Sequence, residues 1–486
     1  MSSSSTNFLE QPLENFIDGA WLPAQDSATL PVVNPDDDSV LAYAPASAGL
    51  DVDLAVAAAT RASVAWGRLT PRARAEALFA LADRLTDDLD TMVALESRNC
   101  GKPISRVAGE VTSAADRLRF FGGAGRTLEG RAAGEYAAGY TSLIRREPVG
   151  VAALITPWNY PLLTAITKLS PALAAGNAVV LKPSEQTPLT ALRLAKLAEG
   201  ILPPGVLNVI VGTGKECGVP LVDHPDVGIV SLTGDTATGK EVARAAAATM
   251  KRVHLELGGK APVLVLDDAD AASVAGVLRD ASFWNSGQDC SAAARVIVAE
   301  SIYDEVLEQI VDMATSIAVG DPASAEIEMG PLTYSGHRDR VLGFIDRAQS
   351  SGARVASGGT RLGDRGCFVA PTIIANPRQD SEIVQREVFG PVVTVQSASS
   401  QSEAIRMAND TKYGLGASVF TSDVGRAMAV ARDLKFGTVW VNDHGAVSAE
   451  MPWGGYKESG YGKERSIYSL EDFTQVKHVM VRLPEA

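Results

Sequence analysis

Apolar residues recur through residues 51–118 at helical spacing. In Ala75-Glu76-Ala77-Leu78-Phe79-Ala80-Leu81 they return every three or four positions. Between 121 and 148 the pattern breaks. Glycines give way to the alternating stretch Tyr140-Thr141-Ser142-Leu143-Ile144, which predicts a hairpin interrupting the first domain. From 149 onward, short apolar runs and helical segments take turns. Residues 149–155, 178–181, 206–211, 227–232 and 253–257 read as strands, and 162–175, 187–199 and the Ala-rich 239–250 as helices. Buried strands alternating with helices predict βαβ units and a parallel sheet. Such sheets bind ligands at the carboxyl ends of their strands. A second α/β series starts near 260, with a strand at 261–266, a helix at 270–283 and later strands at 392–395 and 438–441. Residues 476–481 alternate weakly and predict an edge strand.

At 486 residues the chain exceeds the size at which one core stops growing, about 250–300 residues, so two or three domains are expected. A composition of 46% hydrophobic and 21% charged residues fits a globular protein. The net charge of −14 argues against nucleic acid or an anionic membrane as partner. No run of about 18 apolar residues occurs, so no membrane-spanning helix is expected. Met1 to Asn7 is Ser-rich and carries no apolar signal segment, which reads as a frayed tail on an unexported, cytoplasmic chain. Cys100, Cys217, Cys290 and Cys367 are far apart and read as free thiols. The five histidines form no metal-ligand spacing, so no protein-bound metal is expected.

The strand at 206–211 runs into Gly212-Thr213-Gly214 and then Gly218. This Gly-x-Gly-x-x-x-Gly is one residue longer than the usual dinucleotide fingerprint. It reads equally as a phosphate cradle and as a tight strand-to-helix turn. Leu232-Thr233-Gly234-Asp235, opening the Ala-rich helix, is a second candidate, with an ordinary helix cap as its alternative.

Four segments are far more specific. They are Pro157-Trp158-Asn159-Tyr160-Pro161, Leu255-Glu256-Leu257-Gly258-Gly259-Lys260, Gly287-Gln288-Asp289-Cys290 and Glu387-Val388-Phe389-Gly390-Pro391. With Lys182-Pro183-Ser184-Glu185 and Pro452-Trp453-Gly454-Gly455, their order and spacing resemble the aldehyde dehydrogenase superfamily from about Asn15 to Val481. The resemblance implies that Cys290 is the nucleophile. Asn159 and the Cys290 backbone N–H then hold the oxyanion, and Glu256 is the base for water. It further implies NAD as cofactor. Lys182, Ser184 and Glu185 would lie at the adenosine ribose, and Glu387 and Phe389 at the nicotinamide. Thr156, Trp158, Gly214, Gly218, Gly234 and Leu257 would line the groove.

The residue types suit this chemistry. An aldehyde gives up hydride only after a nucleophile adds to it, and a thiolate adds well. The negative oxygen then needs preorganised donors, each worth ~2.7–4 kcal/mol in comparable oxyanion sites. An amide such as Asn159 donates without changing charge. A carboxylate with a raised pKa suits the hydrolysis of the thioester, and the apolar, glycine-flanked setting of Glu256 would raise it by desolvation.

Glu185, three residues after Lys182, favours NAD+ over NADP+, because a carboxylate near the ribose repels a 2′-phosphate. Position 235 is Asp where many members of the superfamily have Ser, so either the cofactor shifts or Asp235 turns away. For the aldehyde, Gly287 to Ala293 and the tail from Glu450 to Lys463 most resemble aminobutyraldehyde dehydrogenases, with betaine aldehyde enzymes next. An ω-aminoaldehyde such as 4-aminobutanal is thus expected. Asp289 would attract the ammonium, and Tyr160, Trp284 and Trp453 would offer aromatic faces. Core packing is the alternative for each ring. Thr167 stands where those enzymes carry tryptophan, which removes one wall of such a cage.

A cysteine hydrolase or acyltransferase is a competing class, but it needs a histidine partner and none lies in a recognisable motif. A CoA-acylating enzyme commonly lacks the glutamate found at 256. A silent binding protein would not need Cys290, Asn159 and Glu256 together. The expected architecture is a Rossmann-type NAD-binding domain (1–127 and 149–257), an α/β catalytic domain (258–458) and a small β oligomerisation arm (128–148 and 459–486). Hairpin and C-terminal strand are expected to pair across subunits of a homodimer or homotetramer.

Overall fold

The computed structural model describes residues 8–9, 12–128 and 133–484. The expected frayed tail and the first residues of the expected hairpin, 129–132, fall outside them. The helical region at 51–118 resolves into four helices, Gly49–Arg68, Pro71–Asp87, Leu89–Cys100 and Ile104–Gly125. The breaks follow local chemistry. Thr70 caps the helix that Pro71 opens, accepting from the Ala73 N–H at 3.3 Å. Gly101 ends the third helix at φ +81.

The five apolar runs after 149 become the strands Val151–Ile155, Ala178–Lys182, Leu207–Val209, Ile229–Thr233 and Arg252–Glu256. All pair in parallel, with the first strand in the middle, the second and third on one side and the fourth and fifth on the other. Both faces are buried, which is why the strands read as continuous apolar runs. Alternate residues go to opposite cores: Ala152, Leu154, Val179 and Leu181 to one, Val151, Ala153, Val180 and Leu232 to the other. The order of the strands reverses between Val151–Ile155 and Ile229–Thr233. The crevice of such a sheet opens at that reversal. Thr156 to Asn159 leave the first of these strands there and Gly234 leaves the second.

Two additions to this sheet had no visible sequence signal. The antiparallel pair Asn15–Ile17 and Ala20–Leu22 extends it beyond Leu207–Val209, and Gly460–Tyr461 closes the other edge against Leu255 and Glu256. The second sheet has seven strands in the order Arg354–Ser357, Thr372–Ala375, Val392–Ala398, Ala293–Ala299, Ala261–Val265, Gly416–Phe420, Thr438–Val441. All its pairings are parallel except the first.

The C-terminal segment is divided between two places. The expected arm at 459–486 is not one unit. Gly460–Tyr461 joins the first sheet, and the helix Ser466–Asp472 and the residue after it send Leu470 and Phe473 into the first sheet's core. The strand Thr474–Arg482 runs along the hairpin. There it pairs within the chain, antiparallel to Tyr140–Pro148 over nine residues. That register satisfies the inner edge of both segments and leaves Gly134–Ala137 and Thr474–Arg482 as the outer strands. No helix among the described residues is long and apolar enough to cross a membrane.

Candidate active site

The helix Ala271–Phe283 hands the chain to a loop with three consecutive left-handed residues, Asn285 (φ 50), Ser286 (φ 56) and Gly287 (φ 69). For the two non-glycine residues this conformation costs about 1–3 kcal/mol each and persists only where neighbours over-determine it. Here they do. The Asn285 side-chain amide donates to the carbonyls of Asn159 (2.9 Å) and Gln288 (3.1 Å). Ser286 donates to the Gly330 carbonyl at 2.7 Å. The Gln288 amide donates to the Asn285 carbonyl and accepts from the Thr333 N–H, both at 2.9 Å. Gly287 admits the close passage of Gly390, whose carbonyl oxygen would lie 2.2 Å from an added Cβ. The loop therefore presents Cys290, half-buried, from a fixed base.

Three other elements converge on that loop. Asn159, from the end of Val151–Ile155, donates its side-chain amide to the Gln288 carbonyl at 3.0 Å. Glu256 ends the strand Arg252–Glu256, is buried, and has one carboxyl oxygen with no hydrogen-bond partner. Burial is the main reason its pKa rises to about 8, with the Glu464 carboxylate adding to it. Glu464 is itself bonded to the buried Lys168 ammonium at 2.7 Å. Next, Gly258 and Gly259 run so close to their neighbours that a Cβ at 258 would lie 2.3 Å from the Glu387 carboxylate and one at 259 would lie 2.1 Å from the Cys290 carbonyl. The Gly259 N–H donates to Glu387 at 2.7 Å, and burial lifts the Glu387 carboxyl to about 7. Burial also pushes the Cys290 thiol well up, helped by Asp289 and then by Glu256 and Glu387.

A single cleft of about 760 Å³ joins these groups. Of the residues expected in the site, it is lined by Cys290, Asn159 and Glu256, by Trp158, Gly234, Leu257, Glu387 and Phe389, and by Tyr160, Trp284, Asp289 and Trp453. Trp158 stands edge-on to Phe389 at 5.3 Å and 4.8 Å from the His337 ring. Thr156, Lys182, Ser184, Glu185, Gly214 and Gly218 do not line the cleft; they cluster around the neighbouring strand end. The Thr156 N–H donates to the Lys182 carbonyl at 3.1 Å, Lys182 lies 3.5 Å from Glu185, and the Lys182 stem passes over Gly218. The glycine loop is a short helical turn, Gly214–Gly218, leading into Val219–Asp223.

These residues fit a dinucleotide on a specific ground. The buried Thr156 hydroxyl, beside the strand reversal, has no partner. Asp235 does not oppose this. It turns onto its own helix as the cap, accepting from the Ala237 N–H at 2.7 Å.

The residues of the expected cation cage all line the cleft, and the protein's own groups engage them. One protein cation lies over each ring: Lys102 is 4.2 Å from the Tyr160 ring, Arg106 5.6 Å from Trp284 and Arg465 5.3 Å from Trp453. Asp289 accepts from the Tyr160 hydroxyl at 2.7 Å and from the Ser291 N–H and hydroxyl, both at 2.6 Å. Both of its oxygens are engaged inside the protein. The sequence reading also missed Arg117, Arg465, His444 and the Lys168–Glu464 pair; His444 holds the Ser291 carbonyl at 2.7 Å. Only Glu464 had a usable signal, adjacent to the Gly460-Tyr461-Gly462-Lys463 tail.

A fold of two such sheets, with a cysteine, an amide and a buried carboxylate meeting between them, has known counterparts. Residues 21–479 match the model of the aldehyde dehydrogenase family. An aldehyde dehydrogenase of Davidiella tassiana is 40% identical over 98% of this chain and 97% of its own. The peroxisomal aminoaldehyde dehydrogenase 2 of Pisum sativum is also 40% identical, over 97% of this chain and 96% of its own. The betaine aldehyde dehydrogenase of Staphylococcus aureus, solved with NAD+, superimposes with a TM-score of 0.97 at 37% identity, over 100% of this chain and 98% of that one. With the match running through both sheets and every motif of the cleft, the chain belongs to the aldehyde dehydrogenase family.

Proposed function

We propose that this chain oxidises an aldehyde to a carboxylic acid with NAD+, through a thioester on Cys290. The observation that carries the reading is a convergence at the strand ends. A cysteine on a tightly held loop, an asparagine amide tied to that loop, and a buried carboxylate with an unpartnered oxygen meet in one cleft. The Cys290 sulfur adds to the carbonyl carbon. Negative charge moves to the oxygen, where the Asn159 amide and the Cys290 N–H receive it. NAD+, when bound, supplies the hydride acceptor. Loss of hydride from that carbon leaves the thioester. Glu256 takes a proton from water, the water oxygen bonds to the acyl carbon, and the C–S bond breaks to free the acid.

On this reading Lys182, Ser184 and Glu185 hold the adenosine ribose, and Glu185 disfavours a 2′-phosphate. Thr156, Trp158, Gly214, Gly218, Gly234 and Leu257 border the rest of the cofactor, with Glu387 and Phe389 at its reactive end. Residues 1–127 and 149–257 then act as the cofactor domain and 258–458 as the catalytic domain. The three-stranded sheet, with Val476 and Met480 exposed on its C-terminal strand, serves assembly into a homodimer or homotetramer.

An ω-aminoaldehyde substrate is a second reading. In its favour are Glu110, one buried oxygen of which has no partner, and the name of the Pisum sativum relative. The test of the main reading is NADH absorbance with butanal, together with mass spectrometry of the Glu256→Gln protein, where an acyl group should remain on Cys290. Turnover surviving Cys290→Ala would overturn it.

A further inference from the structure

We propose that Arg117 and Arg465 form an anion-accepting subsite, which takes a carboxylate carried at the far end of the aldehyde. The proposal rests on Cys290 being the reaction centre and names the substrate class of that site. Both arginines line the same cleft as Cys290. They arrive from separate elements, Arg117 from the helix Ile104–Gly125 and Arg465 from the position just before Ser466–Asp472.

Among the described residues, the other basic side chains on this side of the cleft have acidic partners. Arg106 pairs with Asp280 at 2.7 Å, Lys102 with Glu110 at 2.6 Å and Lys168 with Glu464 at 2.7 Å. Arg117 and Arg465 make no such ion pair among the described residues. The buried Arg117 donates to the Thr167 hydroxyl and, at 3.5 Å, to the Leu163 carbonyl. The Arg465 Nε–H is buried without any partner, while the Trp453 ring supports the guanidinium. A buried guanidinium beside a half-buried one, neither in an ion pair among the described residues, is costly, and a planar carboxylate offers two oxygens suited to their donors. Burial, and next the neighbouring Arg465 charge, lower Arg117 to about 9, the direction expected of a cation lacking its anion.

Of the acidic groups that face the pair, three are held by protein donors through at least one oxygen, and Glu256, with one oxygen unpartnered, is kept largely protonated at neutral pH by a pKa raised to about 8. Glu110 is bonded to Lys102 and lifted to about 7 by burial. Asp289 is held by Tyr160 and Ser291, and Glu464 by Lys168. Thr167 also acquires a reason. Its hydroxyl seats Arg117, and a tryptophan there would have no acceptor to offer it.

The test uses the full-length protein with NAD+ and initial rates of NADH formation. The probes are 4-oxobutanoate and 6-oxohexanoate, each against the unsubstituted and the ω-amino aldehyde of the same length. At least one oxo acid should exceed its unsubstituted counterpart in kcat/KM by about 10-fold or more, as expected for a charged hydrogen bond. Arg117→Met and Arg465→Met should each lower that ratio about 10-fold, chiefly through KM, and Arg465→Lys should restore part of it. Circular dichroism checks that the variants fold. Three results would overturn the subsite: preference for the amino aldehydes, a ratio unchanged in both variants, or an equal loss on all three aldehyde classes. Absence of turnover with every aldehyde would instead remove the dehydrogenase reading, and the subsite with it.

Discussion

The side-chain amide of Asn159 donates to the backbone carbonyl of Gln288, two residues ahead of Cys290, so the proposed oxyanion donor is tied to the loop that carries the proposed nucleophile. The amide is thereby held in the cleft that Cys290 lines before any substrate binds, and preorganisation of this kind is what makes an oxyanion donor effective. Asn159→Ala should lower kcat by about 10²–10³ while KM moves little. Asn159→Asp should be at least as damaging, because it places a negative charge where negative charge develops. Stopped-flow measurement of NADH formation separates acylation from hydrolysis and reads the effect directly. An unchanged acylation rate in Asn159→Ala would remove the residue from this role.

Glu256 carries a pH prediction. Its pKa is raised to about 8, so the carboxyl is largely protonated at neutral pH and gains its base form as pH rises. The Cys290 thiol is shifted upward too, and its reactive form is again the deprotonated one. Both groups act in the same direction. Steady-state kcat should climb between pH 7 and 9 rather than peak near neutrality. Glu256→Gln should remove the rise in the hydrolysis step and leave a burst of about one NADH per active site. A flat profile for the unaltered protein would contradict this assignment.

How much of this was legible in the sequence depended on how local each feature was. The five parallel strands were visible because burial on both faces makes them continuous apolar runs. The four motifs were visible because each is one short contiguous run of the chain. Strands of two or three residues, such as Asn15–Ile17 and Gly460–Tyr461, are too short to show a period; only the sheet edges beside them create them. Cation positions were not legible either. Arg117 and Arg119 look alike on paper, yet the first is buried in the cleft and the second reaches Asp83 at the surface. Nor could the sequence tell that Tyr160, Trp284 and Trp453 would each face a cation of the protein's own.

Gly259 gives a steric prediction. An alanine Cβ there would sit 2.1 Å from the Cys290 carbonyl oxygen, which is backbone and cannot swing away. The loop carrying Cys290 must move, and a displacement of about 1 Å can cost roughly 10²-fold in rate. Gly259→Ala should therefore lose activity at least 10²-fold while the protein still folds. Gly276→Ala is the control: nothing lies within 4 Å of its Cβ and it does not line the cleft, so fold and rate should be undisturbed. Equal rates for Gly259→Ala and the unaltered enzyme would refute the close-approach argument.

The buried pair Lys168 and Glu464 should tune Glu256 in opposite senses. The Glu464 carboxylate disfavours a second negative charge at Glu256 and raises its pKa, whereas the Lys168 ammonium lowers it. Glu464→Gln removes the repulsion, so the alkaline limb of kcat should move to lower pH. Lys168→Met removes the attraction and should move it to higher pH. Either change breaks a buried ion pair of 2.7 Å and leaves the other charge uncompensated, at a cost of about 3–5 kcal/mol in stability. Both variants should therefore denature at lower urea while their pH profiles separate. That contrast distinguishes a tuning pair from a merely structural one, because loss of structure alone would shift the two profiles together.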